Sequence, residues 1–376
     1  MQDDLVAGRH AELAANRRRQ DLYLDVNPMG PPSAIAAMRL SPDSLGGRSA
    51  KWSPDAKSIA YVSSRGGTPQ LWIYRVTEND RRQLTSLSTG ADGVIWSPAG
   101  THLAFVSEVY PTCADDACNA RRSEADAAKP SKARVYDGLL FRHWTAWEDG
   151  LRSHLFVVPV AGGTPKDLTQ GKDYDTPVPP FGGSADYGFS PDGREMAFTA
   201  KLGTDDAWTT NNDVFTVPVA GGEPVNVTAA MKGAEQTPAY SPDGKLLAFL
   251  SQARASFESD RFRLMIRDRQ TGVTRELPKG YDQSIGEYAW LPGGDVLAVV
   301  EERQRHEILH ITPEGDVHHV FREDSINPGQ MSVGSDGQAP VIAFIGDDIT
   351  NPGNVYVWRV DHLHPTPAAA VTQLNA

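Results

Sequence analysis

The stretch AYSPDGKLLAFLSQ (239–252) decides how this chain is read, because the chain repeats it. KWSPDAKSIAYVSS (51–64), IWSPAGTHLAFVSE (95–108), GFSPDGREMAFTAK (188–201) and AWLPGGDVLAVVEE (289–302) follow the same pattern, and VGSDGQAPVIAFIG (333–346) is an eroded sixth copy. Ser-Pro-Asp-Gly encodes a tight turn: proline fixes φ at the second position, and glycine takes the left-handed site after it. An aromatic residue before each turn (Trp52, Trp96, Phe189, Tyr240, Trp290) ends one strand. The dense apolar run that follows, Leu246 to Leu250 in the quoted copy, starts the next. Its lack of polar alternation marks a strand buried on both faces.

A second strand pair and a short exit near Leu-Thr complete each copy, as in LFVVPVAGGTPKDLT (155–169) and VFTVPVAGGEPVNVT (214–228). The unit is two hairpins, hence four strands. The turn prolines lie 44, 93, 51 and 50 residues apart, and the eroded copy follows after 43. A period of about 40–50 residues with four strands per unit is that of a β-propeller blade. The expected fold is therefore all-β, a propeller of six to seven four-stranded blades with one helical or loop insertion. Six units are legible, at roughly 50–87, 92–170, 185–229, 236–279, 285–322 and 330–374. The long interval places the insertion at 109–150, in the second legible blade, within a propeller spanning 46–376. Residues 1–45 read as an N-terminal helix (4–20) followed by the remnant of a degenerate first blade, with an extra Ser-Pro-Asp at 41–43.

Composition sets limits on function. The chain has 376 residues, 34 glycines, 27 prolines and a net charge of −12. That charge argues against nonspecific nucleic-acid binding, which needs clustered Lys and Arg. The one basic cluster, Arg17 to Arg19, reads as a solvated helix face. No apolar run approaches the roughly 20 residues of a membrane span. The first twenty residues carry no signal-peptide core.

Cys113 and Cys118 fall inside the insertion with four residues between them. That spacing can close a small disulfide loop in an oxidising compartment, the alternatives being two reduced thiols or half of a metal site. Residues 306–310 read HEILH, the pattern of zinc proteases. The segment aligns with NDVFTVPVAGG (212–222), however, so it is a strand. There His306 and His310 stand roughly 13 Å apart at about 3.3 Å per residue, too far to share one ion. His318 and His319 are adjacent and face opposite sides. No metal or other cofactor is expected. The chain has no Gly-x-Ser-x-Gly nucleophile elbow, so no catalytic residue is assigned. Asn226-Val227-Thr228 is formally a glycosylation sequon but occupies the Leu-Thr exit of its blade.

RVYDGLLFRHWTAWEDGLRSHLF (134–156), together with SEVYPTCADDACNARR (107–122) and the repeated turns, carries a resemblance. It is similar to the propeller domain of the prolyl oligopeptidase family of serine peptidases, of the dipeptidyl peptidase V or acylaminoacyl-peptidase type, over roughly 45–376. The resemblance implies a propeller preceding an α/β-hydrolase domain that holds a Ser-Asp-His triad. No counterpart of that domain is expected in this chain, which reads as an orphaned or excised propeller without activity of its own. Together with the cysteine pair, it implies a periplasmic or secreted location. The similar enzymes have Asp after His-Trp, where this chain has Thr145.

In related dipeptidyl peptidases a propeller segment holds the peptide's free amino group. The resemblance therefore points to Glu148 and Asp149, flanked by Trp144 and Trp147, as a contact for peptides with a free or blocked N-terminus. Arg142, His143 and His154 are expected to tie the insertion to its blade. The alternative function is a free-standing, TolB-like propeller that binds proteins or peptides.

Overall fold

The structure, a computed structural model, describes residues 5–12, 17–24, 38–40, 46–131, 133–144, 146–203, 207–323, 326–335, 339–360 and 369–372. Six four-stranded antiparallel sheets follow one another along the chain, at 48–83, 92–167, 187–226, 235–276, 285–321 and 327–370. The quoted stretch lies in the fourth blade. Glu235–Tyr240 pairs with Leu246–Ser251, which pairs with Arg263–Asp268, which pairs with Thr274–Glu276. The eroded turn at 336–338, the Ser-Pro-Asp at 41–43 and Thr145 lie outside the described residues.

The repeated turn is a self-contained hydrogen-bonded unit. Ser241 Oγ donates to Asp243 Oδ1 (2.7 Å) and accepts the amide of Leu246 (2.9 Å), while Lys245 N donates to Asp243 Oδ1 (3.0 Å). Ser53 with Asp55 and Ser190 with Asp192 repeat the arrangement. These donors hold the aspartates low: backbone donation from Lys245 leads at Asp243, whose pKa falls to about 2. Gly244 stands at φ +72, which an L-residue adopts only at a cost. Ala56 takes the equivalent place in the first blade at φ +55.

The Leu-Thr exit is a second repeated device. The hydroxyls of Thr85, Thr169, Thr228 and Thr372 accept the amides of Leu71, Leu155, Val214 and Val355, each on its blade's third strand. Thr228 is buried and also donates to Asp213 Oδ1 (3.1 Å), so the formal sequon serves the fold.

Each ring before a turn packs into the seam with the preceding sheet: Trp52, Trp96, Phe189, Tyr240 and Trp290 occupy five successive apolar clusters. Val333 takes the corresponding place in the sixth. The indoles also tie main chains together. Trp96 Nε1 donates to Lys51 O (2.9 Å) and Trp290 Nε1 to Ala239 O (3.1 Å), each carbonyl lying one residue before the preceding blade's own aromatic. Full burial of such a ring stabilises by about 1.5–3 kcal/mol.

A bulge recurs in the first strand of the blades. Ser49, Gly93, Thr237 and Gln330, each three residues before the seam residue, have φ between +52 and +67. Neighbouring blades hold the polar groups this exposes. Asp186 Oδ1 accepts Thr237 N (3.0 Å), Glu287 Oε1 accepts Met331 N (2.7 Å), and Tyr288 Oη donates to Thr237 O (2.6 Å). Burial raises the pKa of both carboxylates.

The expected N-terminal helix is not formed. Leu5–Glu12 and Arg17–Leu24 are antiparallel strands with Leu5 opposite Leu24, and Met38–Arg39 adds a third. The Ala, Glu and Arg content favours helix locally, but Leu22 and Leu24, two apart, are buried with Leu40 against Ile59, Tyr61 and Tyr74 of the first blade. Packing of a period-two face outweighs a propensity difference of at most about 0.7 kcal/mol per residue.

Candidate functional site

The insertion leaves the second blade at Val109 and returns at Arg152, which pair across adjacent strands. It thus replaces the connection between second and third strands, on the rim shared with the connections between blades. Its first half is anchored. Cys113 and Cys118 are disulfide-bonded, Cα atoms 5.4 Å apart. The helix Asp116–Ala128 is N-capped by Asp115, whose Oδ1 accepts Cys118 N (2.8 Å). Buried Asn119 accepts the amide of Tyr110 (3.0 Å), and Arg122 stacks 4.2 Å from the Tyr110 ring centre. Ser88 Oγ donates to Asp116 Oδ1 (2.7 Å), fastening the helix to the connection between blades one and two.

The second half is an aromatic platform. Arg142–His143 and Ala146–Trp147 form a short hairpin. Tyr136, Phe141 and Trp147 cluster with ring centres 5.3–6.3 Å apart, and Arg134 lies 4.7 Å from the centre of Trp147. Trp144 is 67% exposed and meets Phe181, 82% exposed, edge to face at 5.6 Å. Exposed aromatic surface continues along this rim at Trp208 and Phe257, in the corresponding connections of blades three and four. Ser256 Oγ donates to Trp208 O (3.0 Å), tying those two loops together.

The sequence-predicted residues are near one another but not equivalent. Asp149 is taken up by Arg134 (3.1 Å) and by the Tyr136 hydroxyl (3.4 Å). Glu148 is bound by Arg152 (2.6 Å), which also meets Asp173 (3.0 Å) and Asp175 (3.7 Å). Three carboxylates around one guanidinium leave two negative charges. Burial lifts the Asp175 carboxyl to about 6, although Ser153 N donates to it (2.7 Å). Sequence reasoning missed Arg152, Asp173 and Asp175. Their signal was KDYD (172–175), an acidic stretch just past a Leu-Thr exit.

Of the expected ties, Arg142 contacts Trp147 within the insertion, whereas His143 contacts Trp144 there and also meets Phe181, edge to face at 6.4 Å, in the connection that follows blade two. His154 does otherwise. It is fully buried and spans its own blade, with Nδ1 2.7 Å from Asp167 Oδ2 and Nε2 2.8 Å from Lys172 O. Its partners lie in the fourth strand and the exit of its own blade, not in the insertion.

The HEILH segment lies in the strand Arg305–Ile311. His306 is exposed, whereas His310 is buried against Asp295 (2.7 Å), so the two histidines share no site. No helix among the described residues is long and apolar enough to cross a membrane.

Fold and sequence define the class: a β-propeller of the kind carried by peptidases. Its relatives are dipeptidyl-peptidase 5 proteins. That of Porphyromonas gingivalis is 30% identical over 248 residues, 64% of this chain and 35% of the relative. That of Arthroderma otae is 29% identical over 321 residues, 78% of this chain and 42% of the relative. The chain thus matches less than half the length of these curated relatives. No family model matches it. Among solved structures, Pyrococcus horikoshii acylaminoacyl peptidase superposes with a TM-score of 0.70 at 12% identity, covering all of this chain and 51% of that one. The β-propeller domain of the Trilobed protease from Pyrococcus furiosus gives 0.63 at 10% identity, covering 93% of that domain.

Proposed function

We propose that this propeller shapes and gates peptide access to a serine peptidase catalytic domain, and that its insertion contacts the peptide's amino-terminal end. The observation that carries the reading is the excess of carboxylate over guanidinium at Arg152, beside the exposed rings of Trp144, Trp147 and Phe181. An ammonium group answers that charge, and the rings supply apolar contact for the first side chains. Similarity to dipeptidyl-peptidase 5 supports peptides as the ligand class. Glu148 has the larger part, because Asp149 is already matched by Arg134.

The test is calorimetric titration of short peptides with free or acetylated amino termini, using the wild type, Glu148→Gln with Asp149→Asn, and Asp173→Asn. A charge-assisted hydrogen bond is worth about 1.5–3 kcal/mol, so acetylation or the double substitution should weaken binding about tenfold to a hundredfold. The chain should turn over no aminoacyl or dipeptidyl chromogenic substrate. Equal affinity for both peptide forms, unchanged by the substitutions, would sink the reading.

A further inference from the structure

Blade five carries a cluster that the peptide reading does not use. Val296–Glu302 and Arg305–Ile311 are joined by Arg303 and Gln304, both at positive φ (+51 and +70), as a two-residue hairpin turn requires. In the pairing register Glu302 faces Arg305 and Val300 faces Glu307, so Glu302 and Glu307 share one face of the hairpin. The fourth strand, Val317–Phe321, pairs His319 with Leu309, two residues beyond Glu307 and on that same face. Pairing alone therefore brings together one residue from each of three strands. Their ligand atoms all lie within 4.8 Å of one another.

We propose that Glu302, Glu307 and His319 bind a divalent transition-metal ion, zinc being the first to test. The site has a floor and a mouth. The Glu307 side chain is wholly buried, while those of Glu302 and His319 are 22% and 43% exposed, which gives an ion a way in. Glu307 Oε2 lies 2.7 Å from His319 Nδ1. Glu307 Oε1 is buried without an aligned hydrogen-bond donor; the Arg322 guanidinium is 3.0 Å away but out of line. The Tyr281 hydroxyl is likewise buried without a hydrogen-bond partner.

Arg322 answers Glu307, and Arg305 stands opposite Glu302 in the pairing register, so an ion would compete with these guanidiniums for the two carboxylates. Arg303, 81% exposed and 3.7 Å from Glu302, is a surface contact that water screens. Two carboxylates with an imidazole form a mixed oxygen and nitrogen set, which suits zinc or manganese better than calcium or magnesium, whose shells are oxygen. Three protein ligands leave a fourth position for water. The zinc-protease string thus contributes its glutamate, through a strand, and neither of its histidines.

The experiment is calorimetric titration of the untagged, chelator-treated chain with zinc chloride, repeated with cobalt and read by absorbance. We expect one ion per chain. His319→Ala and Glu302→Gln, both at the open mouth, should each weaken binding at least about tenfold, the least that losing even an outer-shell partner costs. His318→Ala, exposed and on the opposite face, should bind as the wild type does. Near-ultraviolet circular dichroism checks that the variants keep the fold. No stoichiometric uptake by the wild type would overturn the proposal. So would a folded His319→Ala or Glu302→Gln variant binding as well as the wild type, or a loss in His318→Ala as large as in His319→Ala.

Discussion

Replacing Glu235 with glutamine should stabilise this protein in a strongly pH-dependent way. Glu235 opens the first strand of blade four with its side chain fully buried. Oε1 accepts from Ser251 Oγ (2.9 Å), and Oε2 has no partner. Burial is the main cause that lifts its pKa from the ordinary 4.5 to about 7, with Asp213 adding to the rise and Ser251 and Arg263 opposing it. The folded chain then holds the proton more tightly than the unfolded chain. The stability this contributes is fully present below the unfolded value and is lost as pH rises through about 7. Integrating between those values makes ionised Glu235 cost about 3 kcal/mol at pH 8 but only about 1 kcal/mol at pH 5. Glutamine keeps the oxygen that Ser251 needs and does not titrate. Its stability relative to the wild type should therefore improve by about 2–3 kcal/mol between pH 5 and pH 8. Urea unfolding followed by tryptophan fluorescence at both pH values measures it. Asp175 and the other carboxylates are present in both proteins and cancel. If the difference between variant and wild type is the same at both pH values, the buried, singly bonded carboxylate is not the cause, and the reasoning fails.

Mass spectrometry of the unreduced protein should find two hydrogens missing, for the Cys113–Cys118 bond; two thiols freely alkylated under native, non-reducing conditions would contradict it. Thr228→Val should cost about 1–3 kcal/mol in thermal or urea unfolding, because it leaves the buried amide of Val214 and Asp213 Oδ1 without their hydroxyl partner. Thr228→Ser should recover most of that loss, and an equal loss in both variants would assign the effect to packing of the methyl group instead.

The blades were legible because the turns at 53–58, 190–195 and 241–246 each carry their own explanation in six consecutive residues. Ser241 and Asp243 need nothing beyond the turn to make their bonds, so local sequence suffices. The seams were half legible: Trp96 and Trp290 announce themselves, but the carbonyls they reach, Lys51 and Ala239, lie a blade away. The bulges were invisible, since nothing about Ser49, Thr237 or Gln330 advertises a left-handed backbone. At the candidate site the same division holds. Glu148 and Asp149 could be read as charges, but which would be matched depended on Arg134 and Arg152, and on Asp173 and Asp175 arriving from the next connection. The N-terminal helix was misread because composition near 4–20 was weighed without Leu22 and Leu24, whose spacing of two belongs to a strand.

The seams and turns described above spare one part of each blade. Indole ties, Leu-Thr exits and Ser-Pro-Asp turns all avoid the connection between second and third strands, where blade two accommodates more than forty extra residues between Val109 and Arg152. Those two residues remain paired, so their backbones stay about 5 Å apart whatever the chain does between them. Blade five spends just two residues on the same connection. The molecule is thus a socketed chassis. Connections of very different length can be exchanged at one rim while the four-stranded sheet beneath keeps its pairing, so the rim can be remodelled without renegotiating the fold.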